Sequence, residues 1–248
     1  MIPMNLHGKR ILITGASSGI GRACAICAAE LGANVILTGR RTDALEATLD
    51  RCVGSGHSII SGDIASSDFI SELATRTGKI DGLVHAAGVG PMCPVGMLTD
   101  KHIDSVMRTN YYSFLELMKY YSKNKYRNSN LSVVAISSVS SSSGWGGVVV
   151  YCGSKGALSS SVRALSMELA HKGVRVNAVC PSNIKTPMYE AGSVDMNDES
   201  SLTELLKKQP LGLGEPEQVA WPVCFLLSDA ASFITGVNLP VDGGYLAQ

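Results

Sequence analysis

The chain has 248 residues, of which 45% are apolar and 17% charged, so it can bury a large core and carries too little charge for a disordered protein. Lysine plus arginine and aspartate plus glutamate balance at 21 each, so we expect no nucleic-acid or membrane partner. The N-terminal residues lack the pattern of a signal peptide, and no apolar run reaches the roughly 18 residues that cross a bilayer, which favours a cytoplasmic protein.

Short apolar segments alternate with longer helical patterns from end to end. Seven segments have the continuous apolar character of parallel strands buried on both faces: 10–15, 34–39, 57–61, 82–88, 131–137, 174–179 and 237–241. Helical patterns lie between them at 19–31, 42–53, 66–77, 100–125, 152–171 and 215–228. This order predicts an α/β fold. We expect a single domain over 1–248, with a Rossmann-type doubly wound parallel sheet of about seven strands and helices on both faces.

The first strand–helix junction is rich in glycine. The segment "ILITGASSGIGRA" (11–23) contains Gly15, Gly19 and Gly21. Glycine lets the backbone turn sharply and lets a phosphate approach the N–H groups at the helix start. The spacing differs from the usual G-x-G-x-x-G, but the strand–loop–helix context predicts a dinucleotide site. A tight turn that binds nothing is the alternative.

The end of the second predicted strand indicates which dinucleotide fits. A carboxylate there would bind the ribose 2′-hydroxyl of NAD. Gly39, Arg40 and Arg41 stand there instead. Because a guanidinium can bind a 2′-phosphate with two hydrogen bonds, the sequence favours NADP. Two solvated arginines before a helix are the alternative.

The segment "VVVYCGSKGAL" (148–158) places Tyr151 and Lys155 one helical turn apart, on the same helix face. A phenol with a pKa of about 10 exchanges its proton poorly at neutral pH, and a nearby ammonium lowers that pKa. The pair is therefore either a proton-handling device or the polar face of a helix.

A long polar segment at 181–210 interrupts the alternation of strands and helices. It is either a disordered insertion or a functional lid. Because it follows a predicted strand end, where ligands bind in such sheets, we expect a lid at about 182–210.

Seven cysteines are scattered through apolar segments and are interpreted as reduced core residues. Cys24 and Cys27 lie inside a predicted helix, which favours packing over redox chemistry. The five histidines show no metal-ligand spacing, so we predict no metal site.

Taken in order, "TGASSGIG" (14–21), "AAG" (86–88), Asn110, Ser138 and Tyr151 with Lys155 resemble the motifs of the short-chain dehydrogenase/reductase family. The resemblance covers essentially the whole chain, and the spacing Ser138-x12-Tyr151-x3-Lys155 is its most specific part. It implies an NADP(H)-dependent oxidoreductase that transfers hydride between the nicotinamide and a carbonyl or secondary-alcohol substrate.

The resemblance also implies roles for individual residues. Tyr151 gives a proton to the substrate oxygen, and Lys155 lowers the pKa of Tyr151 and binds the nicotinamide ribose. Ser138 hydrogen-bonds the same oxygen, and Asn110 holds a water that links Lys155 to solvent. The implied cofactor contacts are Gly15, Ser17, Ser18, Gly19, Ile20, Gly21, Arg40, Asp63, Ile64, Ala86, Ala87, Gly88, Tyr151, Lys155, Ile184 and Thr186. On its own, Asp63 is equally suited to cap the following helix.

Two positions depart from the family pattern. His85 stands where the family has asparagine, and we expect it to be a hydrogen-bonded interior residue with no catalytic role. Ser182 replaces the usual glycine after Pro181, a change that would stiffen the base of the lid.

The substrate is less determined. Met92, Met97, Trp145, Met188 and Tyr189 either line an apolar pocket or are ordinary packing. We expect a small free carbonyl compound; an alternative is the 3-oxoacyl-[acyl-carrier-protein] reductase subgroup, with a basic patch of Lys125, Arg127 and Lys172 gripping the acidic carrier. The neutral charge and the unlike segment at 88–98 argue against that subgroup.

Two further expectations concern catalysis and the oligomeric state. A dinucleotide-sensing protein without catalysis is the alternative from another functional class, and the presence of all four catalytic residues argues against it. The resemblance also implies a homotetramer that pairs the helices at 100–125 and 152–171 and the C-terminal region.

Overall fold

Strands and helices alternate along residues 4–192 and 199–247, which this computed structural model describes. The strands are β1 (Arg10–Thr14), β2 (Asn34–Gly39), β3 (Ser58–Ser61), β4 (Ile80–His85), β5 (Arg127–Ile136), β6 (Arg175–Pro181) and β7 (Asn238–Val241). The helices are α1 (Gly19–Glu30), α2 (Thr42–Leu49), α3 (Ser67–Thr77), α4 (Asp100–Met107), α5 (Ser113–Tyr121), α6 (Val149–Leu169), α7 (Pro187–Gly192), α8 (Glu199–Lys208) and α9 (Pro216–Leu227). None of the helices in these residues has the length and apolar character that a membrane span needs.

The strands form one sheet in the order β3-β2-β1-β4-β5-β6-β7, and every pairing is parallel. All strands therefore end at the same edge of the sheet. The chain order reverses between β1 and β4, where Thr14 pairs with Thr38 on one side and His85 on the other. Ligands bind at this edge and this reversal in doubly wound sheets. The predicted fold is confirmed.

The core lies on both faces of the sheet, which explains the continuously apolar strands. In β1, Ile11 and Ile13 pack with α1 and α9 on one face, while Leu12 packs with α3, α5 and α6 on the other. Cys24 and Cys27 are buried in the first of these layers. Their interpretation as packing residues is confirmed.

The long helix expected at 100–125 is shorter and is interrupted. A π-turn, Arg108–Tyr112, joins α4 to α5, which ends at Tyr121. A π-turn inserts one residue into a helix, so the apolar pattern on either side still reads as a helix. This turn carries Asn110 fully buried toward the strand ends.

The long segment after β6 contains α7 and α8 as well as loop. Residues 193–198 of the expected lid lie outside the described part of the chain. Near its base, Ile184 pairs with Gly214 in an isolated parallel bridge. The two ends of this segment are thus held together beside the sheet edge.

Candidate active site

One cavity of about 850 Å³ lies at the edge of the sheet where the strands end. All of the residues predicted from the sequence to contact the cofactor line it, together with Ser138, Tyr151 and Lys155. Asn110 is the predicted site residue that does not line the cavity. The structure therefore brings the glycine-rich loop and the predicted catalytic residues into one space.

The glycine-rich loop packs too closely against its surroundings to accept side chains. Gly15 has a φ of +67°, and a Cβ there would lie 2.8 Å from the Ala87 backbone. A Cβ on Gly21 would overlap the carbonyl oxygen of Gly15. Both positions require glycine for contact with a neighbouring backbone, which explains two of the three glycines in the motif.

Side chains from α1 and α2 fix the shape of this loop. The Arg22 guanidinium donates to the Ser17 carbonyl at 2.6 Å and to the Thr48 hydroxyl at 3.1 Å. The Thr48 hydroxyl lies 3.0 Å from the Ala16 carbonyl and 3.0 Å from the Ala44 carbonyl, and its one proton is available to either. The N-cap residue Ser18 makes no side-chain cap hydrogen bond to the first turn of α1. The helix start is therefore suited to an anion such as a pyrophosphate.

Thr38, at the end of β2, gives independent support for a ligand. Thr38 is 1% exposed and lines the cavity, and its hydroxyl has no hydrogen-bond partner among residues 4–192 and 199–247. An unpaired buried hydroxyl costs about 1–3 kcal/mol, so this position fits a bound polar group. Arg40 and Arg41, which follow β2, are exposed at the same end of the cavity. These residues fit the ribose end of a dinucleotide.

Asp63 lies at the cavity and does not cap α3. Its carboxylate accepts a hydrogen bond from the Ala65 N–H at 3.0 Å. The N-cap of α3 is Ser66, whose hydroxyl accepts from the Phe69 N–H. The alternative reading of Asp63 as the helix cap is therefore wrong, and the side chain remains beside the cavity with Ile64.

Ser138, Tyr151 and Lys155 form the opposite wall. Ser138 follows β5 and exchanges hydrogen bonds with Ser140, accepting from its N–H at 3.1 Å and donating to its hydroxyl at 3.0 Å. Lys155 is buried, and its Nζ donates to the Ile136 carbonyl at 2.7 Å. The same nitrogen lies 5.7 Å from the centre of the Tyr151 ring.

Burial shifts the pKa values of Lys155 and Tyr151 in this wall. Loss of water around the ammonium lowers the pKa of Lys155 to about 8. Burial also raises the pKa of Tyr151, and hydrogen bonding with Ser138 opposes this rise only in part. The sequence predicted that Lys155 and an oxidised nicotinamide together lower the pKa of Tyr151, whereas the protein's own groups raise it. The reason is that desolvation of the phenolate outweighs the favourable contacts around it.

Asn110 lies behind this wall. Its side-chain nitrogen donates to the Val89 carbonyl at 2.9 Å and to the Ser154 hydroxyl at 3.0 Å, and its oxygen accepts from the Val89 N–H at 2.8 Å. A Cβ built on Gly88 would lie 3.4 Å from the Asn110 oxygen and 3.6 Å from Lys155 Nζ. Gly88 thus separates Asn110 from Lys155. Both side-chain protons of Asn110 are used by the protein, so the water expected there would contact its oxygen atoms.

His85 is an interior histidine, as predicted. It is 1% exposed, and its ring nitrogens lie 3.3 Å from the Thr14 hydroxyl and 3.3 Å from the Asn110 carbonyl. Burial and the nearby charge of Lys155 lower its pKa to about 3. The ring is therefore neutral at physiological pH.

The base of the expected lid is tied by Gln209, which is 1% exposed. Its amide oxygen lies 2.8 Å from the Ser182 hydroxyl, and its nitrogen donates to the carbonyls of Asn183 and Gly212. Ser182 also lies 2.9 Å from the Asp242 carbonyl. The Ser182 hydroxyl has one proton, so it donates either to the Gln209 amide oxygen or to the Asp242 carbonyl, and each choice ties Ser182 to a distant segment.

The same segment reaches over the glycine-rich loop. A Cβ built on Gly19 would lie 3.1 Å from the Thr186 methyl group, and Ile184 lines the cavity beside it. Four of the five predicted apolar pocket residues line the cavity: Met92, Trp145, Met188 and Tyr189. Met97 is exposed and does not line it.

The structure contradicts the part of Arg127 in the alternative basic patch. Arg127 is 4% exposed and donates to the carbonyls of Asn128 and Ser129, so it is unavailable to a partner. Arg127 is also the first residue of β5, whereas the cavity lies beside Ile136, the last residue of the same strand. Ten residues of strand separate the two edges by about 30 Å.

Several functional positions were not found from the sequence. Thr38, Ser140, Ser154 and Gln209 are ordinary polar residues within apolar or loop segments. Thr38 could have been found from the sequence, because it is a polar residue within a predicted buried strand. The other three are identified by contacts across distant segments, which spacing does not encode.

A family model described as enoyl-(acyl carrier protein) reductase matches residues 15–246. The chain belongs to the short-chain dehydrogenase/reductase family. The 3-oxoacyl-[acyl-carrier-protein] reductase of Rickettsia felis is 36% identical, over 98% of this chain and 99% of its own. The L-xylulose reductase of Mus musculus is 31% identical, over 98% and 99%.

Solved structures agree with the family. One from Agrobacterium tumefaciens, assigned as a 2-deoxy-D-gluconate 3-dehydrogenase with bound NADP, has a TM-score of 0.90 and 31% identity, with all of both chains covered. The chain is therefore an oxidoreductase of the dehydrogenase/reductase type, with a nicotinamide dinucleotide as its cofactor.

The tight packing at Gly21 gives a first test. Gly21→Ala should lower the free energy of unfolding and abolish NADPH binding, because the new methyl group overlaps the Gly15 carbonyl. Gly153→Ala is the matched control, since Gly153 is helical, does not line the cavity, and has nothing within 4 Å of its built Cβ. Urea unfolding and NADPH titration measure both effects. Equal behaviour of the two variants would contradict the packing argument.

His85 gives a test of pH dependence. Its folded-state pKa of about 3 lies below the ordinary value of 6.5, so between these values only the unfolded chain binds the proton. His85 should therefore contribute a loss of stability as the pH falls from about 6.5 toward 3. Unfolding free energies of wild type and His85→Asn should converge toward acid pH. The exposed control His171→Asn should keep the wild-type slope; a wild-type slope in His85→Asn would refute the prediction.

Proposed function

We propose that the chain is an NADPH-dependent carbonyl reductase, acting reversibly on the corresponding secondary alcohol, with Tyr151 as the proton donor. One observation carries the proposal: the glycine-rich loop and the group Ser138, Tyr151 and Lys155 line the same cavity. When bound, the nicotinamide supplies the hydride for reduction or accepts it for oxidation. The named relatives, which are reductases and dehydrogenases, support catalysis over a purely sensing role.

Tyr151 is suited to give a proton in the reductive direction. Because burial raises its pKa, the phenol carries its proton at neutral pH. As negative charge develops on the substrate oxygen, the phenol transfers its proton there. The cationic form of Lys155 stabilises the phenolate that results. In the oxidative direction the same groups act in reverse, and the Tyr151 phenolate accepts the proton of the alcohol.

Ser138 and Lys155 support this transfer. In the proposed mechanism, the Ser138 hydroxyl turns from Ser140 to the substrate oxygen and forms a second donor for the developing alkoxide. Lys155 uses one proton on the Ile136 carbonyl, which leaves two for the ribose hydroxyls of the cofactor. Asn110 holds Val89 and Ser154 in place behind them.

The preference for NADP over NAD is proposed from Arg40 and Arg41. Both are exposed at the cavity, and none of the ion pairs found in residues 4–192 and 199–247 involves either. Gly39 provides no carboxylate to bind a 2′-hydroxyl or to repel a 2′-phosphate. The solved relative with bound NADP agrees with this proposal.

For the substrate, we propose a small free carbonyl compound. Met92, Trp145, Met188 and Tyr189 give the cavity an apolar side facing Ser138 and Tyr151. In the proposal, residues 182–210 act as the lid over it. The kinship with a ketose reductase supports a ketone of this size. The test is NADPH oxidation with L-xylulose, simple ketones, steroids and acetoacetyl thioesters.

Reduction of a 3-oxoacyl carrier-protein substrate is the second candidate, favoured by the relative from Rickettsia felis. Comparison of an acetoacetyl carrier protein with its short thioester analogue distinguishes the two. A small free substrate predicts no advantage for the carrier form. A large advantage that salt abolishes would favour the second candidate.

Tyr151→Phe should lower kcat for carbonyl reduction by ~10²–10⁴, because the phenyl ring has no proton to give. The dissociation constant for NADPH should barely change. Tyr126→Phe, at the opposite edge of the sheet, is the control and should retain wild-type kcat. Substantial turnover by Tyr151→Phe would remove Tyr151 from the proposed role.

Arg40→Asp should erase or reverse the cofactor preference. A charge-assisted contact is worth about 1.5–3 kcal/mol, so wild type should prefer NADPH over NADH by roughly ten- to a hundredfold in kcat/KM. Arg51→Asp makes the same charge change away from the cavity and should keep the preference. Equal use of both cofactors by wild type would contradict the role of Arg40.

We also propose a homotetramer, because exposed apolar residues occur on two separate surfaces. Ile103, Leu115 and Val149 lie on α4, α5 and α6, while Trp221 and Phe233 lie in and after α9. Two different self-complementary surfaces produce a tetramer. Leu115→Asp or Phe233→Asp should each give dimers in sedimentation velocity. A monomeric wild type at micromolar concentration would refute the proposal.

A further inference from the structure

His85 connects the two halves of the site. It is the last residue of β4, and its buried ring contacts Thr14, at the end of β1, and the π-turn at Asn110. Its ring also packs on Phe114 with centroids 5.6 Å apart. The ring does not line the cavity, so it is not a group that meets substrate or cofactor.

The hydrogen bonds fix which ring nitrogen carries the proton. The Thr14 hydroxyl accepts from the N–H groups of Ala86 at 3.1 Å and Ala87 at 3.0 Å, which leaves its own proton for His85 Nδ1. Nδ1 is then the acceptor, and Nε2 carries the hydrogen. Nε2 faces the Asn110 carbonyl, which can only accept. Both sides of the ring therefore require the same neutral tautomer.

The second neighbour of Nε2 agrees with this assignment. The Ser113 hydroxyl donates to the Thr109 carbonyl at 2.7 Å, so its oxygen can only accept from His85 Nε2 at 3.5 Å. The π-turn is held by hydrogen bonds between residues five apart, such as Ser113 N–H to the Arg108 carbonyl. His85 gives this uncommon turn a donor from outside the helix.

The position of the π-turn is transmitted to Tyr151. Asn110 binds both backbone groups of Val89 and the Ser154 hydroxyl, and Ser154 donates to the Tyr151 carbonyl at 2.7 Å. The backbone next to Val89 also supports the tyrosine ring, since a Cβ on Gly90 would lie 3.1 Å from it. A shift of Asn110 therefore moves both the backbone and the ring contacts of Tyr151.

We propose that His85, in its Nε2–H form, is a positioning residue that holds the Asn110 carbonyl and thereby places Tyr151 for proton transfer. This inference rests on the proposed function, in which Tyr151 is the proton donor. The two ring nitrogens of His85 support different parts of the site. The Nδ1 contact supports Thr14 and the Ala86–Ala87 backbone, which line the cavity, and the Nε2 contact supports the wall that carries Tyr151.

Two substitutions separate these contacts. In His85→Asn the amide takes the place of Nδ1 and keeps only the contact with Thr14. In His85→Gln the longer side chain places an amide donor near Nε2 and keeps only the contact with Asn110. His85→Asn should lower kcat about tenfold or more with an unchanged NADPH dissociation constant, since displacement of a reacting group by about 1 Å costs ~10²-fold. His85→Gln should keep kcat within about threefold and weaken NADPH binding.

The assay uses NADPH and whichever carbonyl compound of the panel wild type reduces fastest, with His171→Gln as an exposed control. A panel without any turnover by wild type refutes the proposed function and leaves the tautomer assignment to be tested by itself. Equal kcat values for His85→Asn and His85→Gln, whether high or low, overturn the positioning role, because they would show a dependence on packing alone.

A readout without activity keeps the inference testable if a variant fails to fold. In ¹⁵N-histidine-labelled wild type, His85 should show a hydrogen-bearing Nε2 and an unprotonated Nδ1 between pH 6 and 8. An Nδ1–H tautomer or a charged ring overturns the proposal.

Discussion

The site depends on a buried cation. Lys155 is 4% exposed, and its ammonium donates to the Ile136 carbonyl at 2.7 Å. The ion pairs found in the described ranges, 4–192 and 199–247, do not include it. An ammonium removed from water without a carboxylate partner is destabilised, which lowers its pKa to about 8. The Ile136 carbonyl takes the place of a carboxylate, so the site depends on the elements that bring this carbonyl and Lys155 together.

Those elements meet at one edge of the sheet because every strand is parallel. β5 ends at Ile136, which holds Lys155, and continues into Ser138; α6 then brings Tyr151 and Lys155 back to the same edge. β1 and β4 end beside them and carry the glycine-rich loop and His85. A nucleotide site and a proton donor thus share one cavity as a consequence of topology.

The sequence predicted this arrangement well where chemistry follows from local pattern. The seven strands, the glycine-rich loop and the pair Tyr151 and Lys155 are all encoded by spacing along one or two elements. The rise in the Tyr151 pKa that desolvation causes was not predicted, because burial is a property of the whole fold. The π-turn at Asn110 was missed for a related reason. One inserted residue leaves the apolar pattern intact, and its donor, His85, comes from a distant strand.

The alternative basic patch also shows that burial cannot be predicted from local sequence. Arg127 is polar in sequence but buried in the fold, at the edge of the sheet away from the cavity. The order of strands determines which residues share an edge, and a charge before a strand belongs to the opposite edge from a charge after it.

The most direct test of this account is the pKa of Lys155 itself. It can be followed by ¹³C NMR of the ε-carbon in lysine-labelled protein, with Lys155→Arg for assignment. We expect a titration midpoint of about 8 for this ammonium. A midpoint at the ordinary lysine value of 10.5 would show that the charge is solvated, and would contradict a desolvated cation at the centre of the site.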